Sequence, residues 1–154
     1  MSKSIAAFYS WSGKSKELAE KICTLTGAQL VEIKAKEPYS EDYQTCVNQS
    51  RQEANEEMGR PIEPVNVDMS EVDAVYLIGP VWFSTFAPPL LTFIRQNSGF
   101  AGKKVYPVTT FGGHAGHYEA DVKKFCPDAI VYKMLGVKEG GSDEELSEWI
   151  KSLK

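Results

Sequence analysis

A chain of 154 residues, 42% of them apolar, is long enough for one domain with a buried core and too short for two ordinary ones, so residues 1–154 read as a single domain. A net charge of −4 argues against nucleic acid as the main partner, and with no run of eighteen apolar residues no membrane span is expected. Met1–Ser4 leads straight into a strand pattern with no apolar stretch of signal-peptide length, which points to the cytoplasm. Cys23, Cys46 and Cys126 are too few and too scattered for a disulfide framework or a zinc pattern; Cys23 reads as a small buried hydrophobe.

In chain order, Ile5–Tyr9 is a short apolar strand running into Ser10-Trp11-Ser12-Gly13-Lys14-Ser15. That hydroxyl-rich turn opens a helix, on which Leu18, Ile22 and Leu25 recur at helical spacing up to the stop at Gly27. A helix N-terminus has backbone N–H groups without intrahelical partners and a partial positive charge, so it suits a phosphate. Gly13 allows close backbone approach, and the serines add donors; an ordinary N-cap and turn would use the same residues. The stretch is neither a Walker A loop, since Phe8 stands where its first glycine is needed, nor G-x-G-x-x-G. Residues 28–33 alternate as a second strand, and Lys36-Glu37-Pro38-Tyr39 ends it. Residues 40–57 predict a polar surface helix with Tyr43, Val47 and Ala54 as a weak stripe, followed by an extended link over 59–64. Residues 37–73 hold ten acids and two arginines, a net of −8; this is a solvated acidic face or a docking surface for a basic partner.

Asp73–Gly79 is near-continuously apolar, as suits a central strand buried on both faces. A loop follows with Pro80, Trp82, Phe83 and Phe86, and Pro88 or Pro89 starts a helix carrying Leu90, Leu91, Phe93 and Ile94. Residues 104–110 form a fourth strand, in which Pro107 is awkward for a central position because it lacks a ladder donor. Phe111–His117 is a glycine-rich loop. A helix with Tyr118, Val122 and Phe125 follows and stops at Cys126-Pro127. Residues 129–134 are the last strand. Residues 142–153 are the last helix, with Ser142 and Glu145 as a capping box and Leu146, Trp149, Ile150 and Leu153 as its apolar face. Five strands alternating with helices predict an α/β, doubly wound parallel sheet.

In such sheets ligands bind beyond the carboxyl ends of the strands. Three loops meet there: hydroxyls at a helix start, then Trp82, Phe83 and Phe86, then Thr110, Phe111 and two glycines. Together they suit a flat aromatic ring with a phosphorylated tail, whereas each aromatic taken singly is more often core. His114 and His117 are the proton-capable groups nearby; a metal pair lacks a third ligand.

Phe8-Tyr9-Ser10-Trp11-Ser12-Gly13-Lys14-Ser15, Pro80-Val81-Trp82-Phe83-Ser84-Thr85 and Thr110-Phe111-Gly112-Gly113, with Glu37-Pro38-Tyr39 and Phe125-Cys126-Pro127, resemble the flavodoxin family, in its short flavodoxin-like branch. The resemblance covers essentially the whole chain. It implies a flavodoxin-like three-layer sandwich with a five-stranded parallel sheet in the order 2-1-3-4-5. It also implies noncovalent FMN and a part in electron transfer, the flavin supplying the chemistry. Carried over, Ser10, Ser12, Gly13, Lys14 and Ser15 would hold the FMN phosphate, with Trp11 a further cofactor-binding residue. Pro80, Val81, Trp82, Phe83, Ser84 and Thr85 would line the isoalloxazine, and Thr110, Phe111, Gly112 and Gly113 would wall its other side. Lys14 stands where the pattern has asparagine, and Ser84 where it has glycine; a side chain at Ser84 restricts that turn.

The expected function is thus an FMN-bound electron carrier, as monomer or homodimer, serving a redox partner protein or a small-molecule acceptor. The alternatives are a small FMN-dependent oxidoreductase acting on a quinone-like acceptor, with Phe86, Phe111 and the histidines over the ring, and a flavodoxin-fold interaction module that has lost FMN.

Overall fold

The computed structural model describes residues 3–11, 13–111, 116–138 and 143–152. Its strands are β1 (Ser4–Phe8), β2 (Gln29–Glu32), β3 (Ala74–Trp82), β4 (Thr85–Phe86), β5 (Lys104–Phe111), β6 (Ile130–Val131) and β7 (Leu135–Lys138). Its helices are α1 (Lys14–Thr26), α2 (Tyr43–Asn55), α3 (Pro88–Gln96), α4 (Tyr118–Phe125) and α5 (Asp143–Ser152). The parallel sheet runs β2-β1-β3-β5-β6, with β7 continuing the rim beside β5. The expected 2-1-3-4-5 order therefore holds. Two differences bring the strands to seven among the described residues: the last strand, expected over 129–134, is only Ile130–Val131 and a further strand, Leu135–Lys138, follows it beside β5, and β4 folds back antiparallel on the end of β3.

Side-chain alternation sorts the strands between two cores. Ile5, Ala7, Val75 and Leu77 face one layer, where Cys46 of α2, Leu90 and Phe93 of α3 and Tyr118 and Val122 of α4 pack. Ala6, Phe8, Tyr76, Ile78 and Val108 face the other, under Leu18 and Ile22 of α1 and Leu146, Trp149 and Ile150 of α5. Central strands read as continuous apolar runs because both faces are covered. On the second face Tyr76, Tyr106 and Tyr132 stack at centroid spacings of 4.7 Å, with Trp149 edge-on to the first two.

Pro107 sits in a central strand at no cost to the ladder. The carbonyls of Lys103 and Val105 accept from Ile130 and Tyr132, so by alternation residue 107 would direct its N–H to the same side. There β6 has ended at Val131 and β7 begins only at Leu135. The proline faces the break, and Met134 N–H donates instead to the Glu119 carboxylate of α4.

Three expectations about helix faces change. Leu25 is exposed, because α1 ends one residue later and turns away at Gly27, so its inner face is Leu18, Ala19 and Ile22; Cys23 is only half-buried. The inward residues of α2 are Cys46 and Ser50, not Tyr43, Val47 and Ala54; the helix starts at an Asp42 cap and so presents a different face. Pro88 and Pro89 do open α3. The proposed Ser142–Glu145 box and Leu153 involve residues outside those described.

Candidate functional site

β1, β3 and β5 end side by side, with Tyr9 N–H donating to Ile78 O and Pro80 in register with Thr110. Their loops form the site. In the first, Gly13 caps α1 with φ +96°, a left-handed conformation natural to glycine. Its N–H donates to Ser10 Oγ at 2.9 Å, closing the loop, and its carbonyl accepts from Glu17 N–H as the first helical bond. The thirteen-residue α1 thus aims its positive end into the loop. Ser15 is buried, and Lys14 lies exposed on the first turn. Ser12, Gly112, Gly113 and His114 lie outside the described residues. Trp11, half-buried, donates its indole N–H to Ser40 O at 3.1 Å and leans toward Tyr43.

The second loop is a two-residue hairpin. Val81 pairs with Phe86 and Trp82 with Thr85. The central residues, Phe83 and Ser84, both have positive φ, +52° and +66°, the pattern of a type I′ turn. That turn normally takes Asn-Gly; here it carries a phenylalanine at its exposed tip. Trp82 is fixed edge-on by Tyr39 at 5.1 Å and by Tyr9 at 5.7 Å. Phe86 is not a site residue: it is buried and packs edge-on against Tyr118 and Phe125, because β4 directs it into the core.

The third loop meets the second. His117 N–H donates to Ser84 O, and Gly116 lies so close that a Cβ would sit 2.6 Å from Ser84 Cα. Only the backbone of Thr110 and Phe111 is described, at the end of β5 beside Pro80 and Lys138. His117 stands at the start of α4 and serves the site through its backbone.

Sequence reasoning missed the support beneath Trp82. Tyr39 is buried; its hydroxyl donates to Glu53 Oε1 at 2.6 Å, and the Arg60 guanidinium lies 3.9 Å over its ring. Arg60 also pairs with Glu53 at 3.2 Å and donates to Glu37 O, while Thr92 of α3 holds its backbone on both sides. Burial, with the Glu53 hydrogen bond, pushes the Tyr39 phenol well above its ordinary range, and burial does the same for Tyr9. The visible signal was an isolated Arg60 in a polar link, 21 residues after a Pro-Tyr pair.

Two hollows adjoin the loops. One, of about 370 Å³, runs from Ser10 and Trp11 along the end of β2 to Lys34, Lys36 and Tyr39. The other, of about 250 Å³, lies between α2 and the hairpin. Among the described residues no cluster of His, Cys, Asp and Glu could hold a metal, and no helix is long and apolar enough to cross a membrane.

The family model described as flavodoxin matches residues 3–153. Among solved structures, a candidate flavoprotein from Bacteroides eggerthii is 27% identical, with a TM-score of 0.85, covering 99% of this chain and 98% of that one. A candidate flavoprotein from Bacteroides uniformis is 24% identical, with a TM-score of 0.84 and coverage of 97% and 98%. A flavoprotein from Lactobacillus acidophilus, solved in complex with FMN, is 23% identical, with a TM-score of 0.81 and coverage of 97% and 99%. No curated protein matches the chain.

Proposed function

Because the chain belongs to the flavodoxin family, we propose that it binds FMN noncovalently at these three loops and serves in cytoplasmic electron transfer. The observation that carries this reading is the cradle at the head of α1. Gly13 is left-handed with open space where a Cβ would stand, the loop is closed by Ser10 Oγ, and a thirteen-residue helix points its positive end at the opening. A flavin phosphate fits that chemistry, and the Trp82–Phe83 hairpin supplies an aromatic wall for a flat ring. Ser10, Ser12, Gly13, Lys14 and Ser15 hold the phosphate in this reading, and Trp11 is a further cofactor-binding residue of the same loop. Residues 80–85 line the ring, and 110–113 close its other side. Bound FMN supplies the electron-transfer chemistry; the protein orients it and shields it from water. The acidic 37–73 segment is the proposed face for a basic redox partner.

The test is titration of the purified apo-protein with FMN, followed by flavin fluorescence. Saturable one-to-one quenching at micromolar affinity or better supports the site. A folded protein that leaves millimolar FMN fluorescent overturns it and favours an interaction module.

A further inference from the structure

We propose that the hollow between α2 and the β3–β4 hairpin is a second binding site, for an uncharged ligand of one or two fused aromatic rings. The proposal rests on the reading of the three loops as a flavin site and names the kind of molecule that would sit beside it. The hollow is walled by Trp11, Val81, Trp82 and Phe83 on one side and by Tyr43 and Val47 on the other, with Cys46 and Ser50 from α2. It does not reach Ser10, Gly13 or Ser15, so the phosphate cradle lies outside it, whereas Val81, Trp82 and Phe83 also belong to the proposed ring wall, so one hairpin would serve both ligands.

Its size and lining select the occupant. At about 250 Å³ it falls just below the roughly 300–1,000 Å³ of pockets that take drug-sized ligands, so it suits something smaller than a nucleotide. Small residues make the space: Cys46 and Ser50, one helical turn apart, are the buried residues of α2. Two polar groups in its walls are engaged within the protein. The Trp11 indole N–H is on Ser40 O, and the Ser50 hydroxyl is on Cys46 O at 2.8 Å. Burial raises the Cys46 thiol above its ordinary range, which keeps it neutral. Its lining has no Asp, Glu, Lys or Arg, so a charged ligand would find no counter-charge here, whereas a flat apolar ring would meet ring faces and edges. Tyr43 and Phe83 stand at the mouth as large exposed aromatics, Tyr43 at 71% of its full accessibility, which is a costly arrangement without an occupant.

The probe is 2-naphthol, measured by calorimetric titration into both the apo-protein and the FMN-loaded protein. The expected result is one-site binding with a Kd on the order of 0.1 mM in either form. Ser50→Leu, which fills the space from the helix side, should weaken the naphthol at least tenfold while FMN affinity stays within twofold. Tyr43→Ala, a surface change that spares folding, should weaken it severalfold. Absence of naphthol binding to either form overturns the proposal, as does stoichiometric competition between naphthol and FMN, which would make the hollow part of the flavin's own bed. Naphthol binding sensitive to Ser50→Leu in a protein that takes no FMN sustains this site and sinks the flavin reading instead.

Discussion

Gly13 and Gly116 are needed for opposite reasons. Around Gly13 there is room, since a Cβ would meet nothing within 4 Å; the requirement is the backbone angle of +96°. Gly13→Ala should therefore cost about 1–2 kcal/mol, the penalty of a left-handed non-glycine residue, without repacking anything. Urea unfolding measures that cost, and the FMN titration should show weaker binding from the same variant. At Gly116 the constraint is contact as well as conformation, because a methyl group would collide with the backbone of Ser84. Gly116→Ala should drive apart the loops that His117 N–H and Ser84 O join, and the effect should appear as faster amide exchange at His117.

At the scale of elements, the hairpin and α2 show how the site is held. Phe83-Ser84 occupies a turn whose preferred sequence is Asn-Gly, so the double change Phe83→Asn, Ser84→Gly should stabilise the protein by about 1 kcal/mol. The same change removes part of the aromatic wall, and FMN should bind more weakly: stability and binding move in opposite directions. Behind the hairpin, the mostly buried Glu53–Arg60 pair fixes Tyr39, and Tyr39 fixes Trp82. Arg60→Met leaves the Glu53 carboxylate without its cation and should cost about 3 kcal/mol in a urea melt. Pairing it with Glu53→Gln should recover part of that loss, which separates the burial of a lone charge from the value of the pair.

For the whole molecule, ionisation gives a global test. Five of the seven tyrosines, Tyr9, Tyr39, Tyr76, Tyr106 and Tyr118, have phenol pKa values raised chiefly by burial. A folded-state pKa above the unfolded value gives stability that is full below about pH 10 and declines as pH rises beyond it. Absorbance at alkaline pH should show the buried phenols ionising late, together with the loss of tertiary structure. The overall architecture was legible because its signals are periodic: continuous runs for strands buried on two faces, helical spacing for α1, α3 and α5, and paired prolines at the start of α3. The turn at the head of α1 was legible for a local reason, a serine-rich stretch with one glycine before a helix. What the sequence concealed depends on distant partners. Phe86 follows Trp82 and Phe83 closely, yet the antiparallel return of β4 sends it to the core. Glu53 and Arg60 read as surface charges until the fold brings both against Tyr39. Pro107 looked misplaced because a break in a neighbouring strand, more than twenty residues later, cannot be read from the proline itself.

That break has a consequence for how the protein behaves at high concentration. The sheet has two rims, β2 and the β6–β7 strand, and a rim of unpaired N–H and C=O groups is a template on which another chain can add. At the β2 rim, the strand is only four residues long, and the chain beyond it is met by the Ala35–Ile62 bridge. At the other, the three residues facing Pro107 step out of line, so no continuous ladder is on offer. The irregularity that accommodates one proline thus also guards against edge-to-edge aggregation, a danger the fold would meet if its last strand ran unbroken.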